Sequence, residues 1–370
     1  MRIVIDMRFL SVPGTGVASY AEGLIDGIVK NKIPPEDEYV FLIPQGFDVQ
    51  KRDIKFETCN TPVVTIQQHL LMPFYLLKAK PDVYHYPHFD LPFAFNTVSV
   101  ITIHDLKYIK MPDLFYRKSK GKSLLMRTTM RNSIRRARKV ITVSKSTKED
   151  IVNVLKVPPY KIEVIYEACD SCYRVAPGLT DFVIKKYNIQ LPFLLFVGEI
   201  RPHKNLSRLL KAFKQVKYKD YYLIIVGRNY LDYKEPFKLV EKLGIQNRVK
   251  FLKFVPKKDL VHIYNAATVF ILPSLYEGFG IPVLEAMACG IPVITSNVSS
   301  LPEVAGDSAL LIDPYDVESM TDAIDRVLGS SSLQQRMREK GLKWVKEFSW
   351  SKAARETIKV YREAYNEKKN

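Results

Sequence analysis

Cysteine is scarce in this chain, with four (Cys59, Cys169, Cys172 and Cys289) among 370 residues. So few cannot staple a chain of this length, which excludes a disulfide-framed secreted scaffold. Cys169 and Cys172 have C-x-x-C spacing, but no second pair completes a zinc site and no βαβ context supports thioredoxin-like chemistry. They read as ordinary thiols. Long apolar runs are missing too: none reaches the ~18–20 residues of a membrane span. The opening residues 1–10 read as a strand ending in charge, without the apolar core and cleavage site of a signal peptide. A cytoplasmic protein is expected. Low-complexity tracts are absent, and residues 368–370 form only a short polar tail.

Acidic residues are outnumbered, 39 Asp/Glu against 56 Lys/Arg, for a formal net charge of +17. Residues 1–170 carry 25 basic and 18 acidic side chains (+7), and the remainder carries +10. Residues 117–139 concentrate the excess, with ten basic side chains and no acidic one. Such a stretch attracts polyanions. It has no interleaved aromatics to stack bases, and no nucleic-acid module signature occurs elsewhere, so nucleic acid is not an expected partner. An anionic membrane surface, met peripherally on its inner face, or a diphosphate-linked acceptor fits better.

The length suits two domains, and an apolar content of 47% suits globular cores. Short β-rich runs alternate with amphipathic stretches, predicting an α/β protein with parallel sheets covered by helices on both faces. Strands are expected at 3–6, 39–43, 83–86, 98–103, 140–143 and 162–165. A second series is expected at 193–197, 222–226, 249–254, 269–272, 293–295 and 310–312. Helices are expected at 18–30, 68–80, 116–138 and 145–155. Leu206, Leu209, Leu210, Phe213 and Val216 add another at helical spacing. The stretch 176–192, with Pro177, Gly178 and Pro192, separates the series as a linker. This gives one Rossmann-like domain over 1–175 and another over 176–349, with a last helix within 350–370.

The most informative segment runs from Ser274 to Gly290. Glu277 and Glu285 are separated by seven residues, with Gly278, Phe279, Gly280 and Pro282 between them. The preceding Val269–Pro273 run reads as a buried strand, and Pro282 suits the first turn of a helix. One carboxylate then lies in a loop at the carboxyl end of a strand, and the other about one turn into the next helix. The amides of Gly278, Phe279 and Gly280 approach a helix N-terminus, which favours a phosphate. A sugar–diphosphate–nucleoside needs this set: donors for phosphates and acidic groups for the hydroxyls at either end.

Three further motifs follow strands. Gly198-Glu-Ile-Arg201-Pro-His-Lys204-Asn205 places two cations three residues apart, where they can clamp a pyrophosphate, and offers Asn205 as a helix N-cap. His104-Asp105 ends the strand at 98–103, and Asp105 could orient its loop. Residues 13–20 (Pro13, Gly14, Thr15, Gly16 through Ser19) nearly fit G-x-G-x-x-G, which raises a dinucleotide-binding dehydrogenase. The acidic residue expected after the second strand is missing, since Pro44 and Gln45 stand there.

Together these segments resemble glycosyltransferase family 4, retaining enzymes of GT-B fold with an E-x7-E motif and nucleotide-sugar donors. The resemblance spans nearly the whole chain and is strongest from Phe193 to Ile312. It implies two Rossmann-like domains facing across a cleft, an acceptor-binding one at 1–175 rejoined by the final helix, and a donor-binding one at 176–349. By resemblance, Arg201 and Lys204 neutralise the departing diphosphate. Glu277 holds donor sugar hydroxyls, Glu285 the ribose, and His104 faces the donor sugar. Gly14, Thr15 and Gly16 lie near the donor phosphates and acceptor. No Asp-x-Asp motif occurs, so no metal or other cofactor is expected beyond the nucleotide-sugar co-substrate, GDP- or UDP-linked.

The His-Asp-Leu element is frequent among mannosyltransferases of cell-surface polysaccharide, which implies GDP-mannose and a glycan or lipid-linked acceptor. The Lys-x-Gly-Gly-Leu of glycogen and starch synthases is absent. A second departure is Tyr166-Glu167-Ala168-Cys169-Asp170, where many relatives have Asn-Gly before an acidic residue, so Asp170 is given no site role. A UDP-sugar transferase of the same fold, a nucleotide-sugar 2-epimerase, and a basic membrane- or nucleic-acid-binding module without catalysis are the alternatives.

Overall fold

A computed structural model describes the chain except residues 13, 32–35, 48–54, 94–96, 116–119, 177, 179, 230–232 and 368–370. Pro13 of the glycine-rich loop, residues 117–119 of the basic stretch, Pro177 of the linker and the polar tail therefore lie outside the described residues. The chain divides into two compact units, Met1–Ala168 with Phe348–Asn370, and Cys169–Glu347.

Among the described residues of the first unit, seven strands form one parallel sheet. They are β1 (Arg2–Asp6), β2 (Glu38–Ile43), β3 (Lys55–Thr58), β4 (Val83–Tyr86), β5 (Val98–Ile103), β6 (Lys139–Thr142) and β7 (Ile162–Val164). Their order is β3-β2-β1-β4-β5-β6-β7. Strand β3 was not expected: Lys-Phe-Glu-Thr is polar and only partly buried, as suits the edge of a sheet rather than its centre. The central strands are apolar on both faces, and every residue of β5 is buried.

Two cores flank this sheet. One packs Met72 and Leu76 of the helix Ile66–Ala79 with Met130 and Ile134 of the helix Lys120–Arg136. The other packs the helix Gly16–Lys30 against Trp350–Asn366. These last two helices approach closely because Gly23 and Gly27 lack side chains. A Cβ at Gly23 would strike the Trp350 indole, and one at Gly27 the Trp350 carbonyl. Tyr361 on the final helix reaches His85 Nδ1 at 2.6 Å, and His85 Nε2 meets Thr102 Oγ1 at 2.8 Å. Burial lowers the His85 pKa to about 3, so this ring is a neutral structural link.

At the carboxyl end of β1 the unit buries an ion pair. Arg8 is 1% exposed and Asp6 0%. The guanidinium donates to Asp6 from Nε (2.8 Å) and Nη2 (2.7 Å), and from Nη1 to the Thr61 carbonyl (2.7 Å). Tyr84 donates to Asp6 Oδ2 at 2.7 Å. Burial disfavours the Arg8 charge, but Asp6 more than offsets this and holds its pKa above the ordinary value. Arg8→Ala strands Asp6 without its counter-ion and is expected to cost about 3–5 kcal/mol of unfolding free energy. Urea denaturation measures this directly, and a loss below about 1 kcal/mol would show that Asp6 finds another partner.

The second unit holds a six-stranded parallel sheet: β8 (Phe193–Val197), β9 (Tyr222–Val226), β10 (Val249–Leu252), β11 (Val269–Leu272), β12 (Val293–Ser296) and β13 (Leu310–Ile312). The order is β10-β9-β8-β11-β12-β13. The chain reverses direction across each sheet between β1 and β4, and between β8 and β11. Crevices at the carboxyl ends of such strand pairs are where open α/β sheets bind ligands.

Candidate active site

In the second unit the two turns at the switch point are bound to each other. After β8, Arg201 leads into a 3-10 turn at Pro202–Lys204. The His203 carbonyl accepts the Leu275 N–H of the turn after β11 at 2.8 Å. Asn205 stands at the N-cap of the helix Leu206–Gln215, but its side chain does not cap that helix, contrary to expectation. Its Nδ2 instead donates to the Pro273 carbonyl (2.9 Å) and the Pro314 carbonyl (2.7 Å), tying together the turns after β8, β11 and β13.

This lacing delivers Lys204 to Glu277. Lys204 Nζ lies 2.5 Å from Glu277 Oε1, with the side chains 13% and 12% exposed. Ser274 Oγ donates to the same oxygen at 2.6 Å. Arg201 Nε pairs with Glu199 Oε2, also at 2.5 Å. Each cation expected to clamp a diphosphate is thus matched with a carboxylate of its own turn or the neighbouring one. Sequence reading passed over Glu199, although its i, i+2 position before Arg201 on an extended segment puts both on one side.

The loop 277–280 is clamped from behind. Glu277 N–H donates to Ser299 Oγ at 3.1 Å, and Ser299 Oγ–H returns a bond to the Glu277 carbonyl at 2.5 Å. Ser300 Oγ donates to the Phe279 carbonyl at 2.7 Å. Gly280 then opens the helix Ile281–Ala288 with φ +116°, a conformation that side chains resist, and a Cβ there would come within 2.9 Å of Leu301 Cδ2. Ser299 and Ser300 carried no motif; their only sequence signal is a polar pair following a buried strand.

Glu285 lies within that helix and accepts from the Tyr264 hydroxyl at 2.8 Å, with Tyr173 as a second hydroxyl partner. Burial raises the Glu285 carboxyl to about 7, against the opposing pull of these two hydroxyls and of Lys257. Two phenols use part of a carboxylate's four acceptor positions and leave room for a ligand's hydroxyls. Cys169 and Cys172 lie in this neighbourhood, and burial pushes both thiols up to about 12, leaving neither a thiolate at neutral pH.

In the first unit, Gly14 (φ +82°) precedes Thr15, whose hydroxyl caps the helix Gly16–Lys30 by accepting from Ala18 N–H at 3.3 Å. His104, just past β5, has both ring nitrogens engaged: Nδ1 with Glu167 Oε1 and Nε2 with the Pro87 carbonyl, each at 3.1 Å. A carbonyl can only accept, so Nε2 carries a hydrogen. The ring is thus held as a donor at Nε2. Asp105 accepts from Lys107 N–H (3.1 Å) and Lys107 Nζ (2.7 Å), turning the loop onto itself. Glu167 is buried and supports His104; sequence reading noted it only as a departure from a turn pattern. Among the described residues no group of three or more His, Cys, Asp or Glu side chains is placed to hold a metal ion. No helix among them is long and apolar enough to cross a membrane.

Two parallel-sheet Rossmann-like units, with basic and acidic side chains gathered at their carboxyl edges, define the GT-B class of sugar-transferring enzymes. Residues 35–171 match the family model described as Glycosyltransferase Family 4, and residues 180–344 match that of Glycosyl transferases group 1. The O-antigen chain mannosyltransferase B of Escherichia coli is 34% identical over 288 residues, covering 76% of this chain and 74% of that protein. The chain belongs to this glycosyltransferase family and is a hexosyltransferase. Among solved structures, the sucrose-phosphate synthase of Thermosynechococcus elongatus superposes with a TM-score of 0.82 at 20% identity, covering 99% of both chains. HepE of Anabaena in complex with UDP-glucose gives 0.76 at 19% identity, covering 97% of this chain and 99% of that one.

Proposed function

We propose that the chain is a retaining, metal-independent mannosyltransferase that moves mannose from GDP-mannose to a hydroxyl of a glycan or lipid-linked acceptor in cell-surface polysaccharide synthesis. The Lys204–Glu277 pair carries this reading: a cation and a carboxylate in contact, at the carboxyl edge of a parallel sheet, beside a glycine-opened helix N-terminus. When the donor enters, Arg201 and Lys204 turn from Glu199 and Glu277 to the diphosphate, and Glu277 is released to the sugar hydroxyls. The amides around Gly278, Phe279 and Gly280 add to the phosphate field, and Glu285 takes the ribose hydroxyls. Gly14, Thr15 and Gly16 let backbone approach the phosphates and acceptor, and the backbone carbonyl of His104, whose ring Glu167 steadies, supports the positive charge that develops at C1.

The bond from C1 to the β-phosphate oxygen breaks while the acceptor oxygen bonds C1 on the same face. The departing phosphate oxygen takes the acceptor's proton, so the anomeric configuration is kept without a covalent enzyme intermediate. Mannose and polysaccharide synthesis are favoured by the Escherichia coli relative, whose own name specifies both an O-antigen chain and mannosyl transfer. The basic stretch 117–139 draws the enzyme to an anionic membrane surface on the cytoplasmic side, where a lipid-linked acceptor would be met.

Thermal unfolding with GDP, UDP, ADP and TDP, and their common sugars, tests the donor. A ligand at ~100 times its dissociation constant adds about 2.7 kcal/mol to the folded state. A GDP-selective rise that EDTA leaves unchanged is the expected result. A UDP-selective rise would replace the donor, and no rise with any nucleotide would remove the site drawn around Glu277 and Glu285.

A further inference from the structure

The helix Ile66–Ala79 is apolar on both faces. Gln68, Met72, Leu76 and Ala79 point into the core of the first unit. The opposite face is equally apolar yet uncovered: Ile66 is 79% exposed, Leu70 64%, Phe74 70% and Leu77 62%. A helix hydrophobic all round is normally buried on all sides, and an apolar stripe of this size on one exposed face marks an interaction surface. It is widened by Phe93, 55% exposed, whose ring stacks on His69 with centroids 4.0 Å apart.

The neighbouring helix Lys120–Arg136 is joined to the same surface. Leu91 N–H donates to Ser133 Oγ at 3.2 Å, and Arg136 Nη2 donates to the Pro92 carbonyl at 2.6 Å. Leu124 and Leu125 on that helix are two-thirds exposed. The charges on these two helices have one sign. No acidic residue occurs at 58–81 or at 114–148, while Lys78, Lys80, Arg127 and Arg131 do. Two acids follow the helix in sequence: Asp82 is half-buried and accepts from Arg2 N–H at 2.8 Å, and Asp90 is buried and paired with His69 at 3.2 Å.

We propose that the exposed face of Ile66–Ala79, with Phe93, inserts into the headgroup–acyl boundary of an anionic phospholipid bilayer, while the cations of the adjoining helix rest on lipid phosphates. Apolar side chains on helices whose only charges are cationic match the surface of such a bilayer. A second copy of the chain fits worse, since a two-fold contact through this patch would set its cations against one another. The proposal deepens the membrane reading above, which invoked attraction to the basic stretch without insertion.

The test is co-sedimentation of the full chain with phosphatidylcholine vesicles and with vesicles containing ~30% phosphatidylglycerol, at low and high salt. Binding to the anionic vesicles is expected to weaken with salt without vanishing. The double variant Leu70→Ser/Phe74→Ser should bind at least tenfold more weakly. Its melting temperature and its shift with nucleotide should match the parent, because both side chains face outward. Phe74→Trp should add blue-shifted emission when anionic vesicles are present. Unchanged vesicle binding by the double variant would overturn the proposal and leave charge alone as the anchor. So would a parent dimer that the double variant splits into monomers while vesicles retain neither. The nucleotide shift is read on the same samples, so loss of the donor site and loss of insertion are separable.

Discussion

Lys204→Ala and Glu277→Ala are each expected to lower kcat by at least ~10²-fold, the scale for removing one preorganised electrostatic partner. The two should differ in KM. Without Lys204, Glu277 becomes a mostly buried carboxylate held by Ser274 alone, where it repels the incoming diphosphate, so donor KM rises as kcat falls. Without Glu277, Lys204 is released to bind the ground-state diphosphate more tightly, so donor KM holds or falls while turnover is lost. The contact at 2.5 Å makes them one unit, so the double variant should be no more than a few-fold slower than the worse single. Steady-state kinetics with the four proteins decides this. Near-normal turnover in either single variant would remove that residue from the mechanism, and multiplicative losses would show that the two act separately.

That contact could not be read from sequence, because its partners stand 73 residues apart on different turns. What was legible was local. Buried parallel strands are runs of β-branched, aromatic and other apolar residues, so β4, β5, β8, β9 and β11 emerge with the bounds expected, as does the partly buried edge strand β13. Strand β3, polar and at an edge, carries no such signal. The helix over 145–155 begins after Ser144, whose hydroxyl accepts from Thr147 N–H at 3.0 Å as a capping side chain does. The same rule misjudged Asn205, whose side chain serves carbonyls 68 and 109 residues away. Glu167, Ser299, Tyr173 and Tyr264 were missed for a related reason. Each acts by holding another side chain or loop, and support of that kind leaves no spacing pattern in the chain.

Glu285→Gln should separate what this residue costs from what it does. In the folded protein burial raises the carboxyl from 4.5 to about 7, so the folded state binds the proton more tightly than the unfolded chain. Between those values the folded state carries the extra proton, and this group's contribution to stability falls as pH rises from about 4.5 through 7. The fall amounts to about 3 kcal/mol by linkage, taking about 1.4 kcal/mol per unit. Glutamine does not titrate, and its amide can still accept from Tyr264. Urea unfolding should therefore find Glu285→Gln close to the parent near pH 5 and more stable by about 2–3 kcal/mol near pH 8.

Donor binding should move the opposite way. Ribose hydroxyls donate to a carboxylate, so the parent's donor affinity should climb as pH rises through about 7 and level off above it, while the variant binds weakly with little pH dependence. Calorimetric titration of nucleotide at pH 6 and 8 supplies the second readout. Equal stability at pH 8 would mean that burial does not strain the carboxyl, and equal donor affinity would mean that it does not hold the ribose. Both effects together would identify a carboxylate whose charge opposes folding and serves binding, a combination that packing alone gives no reason to retain.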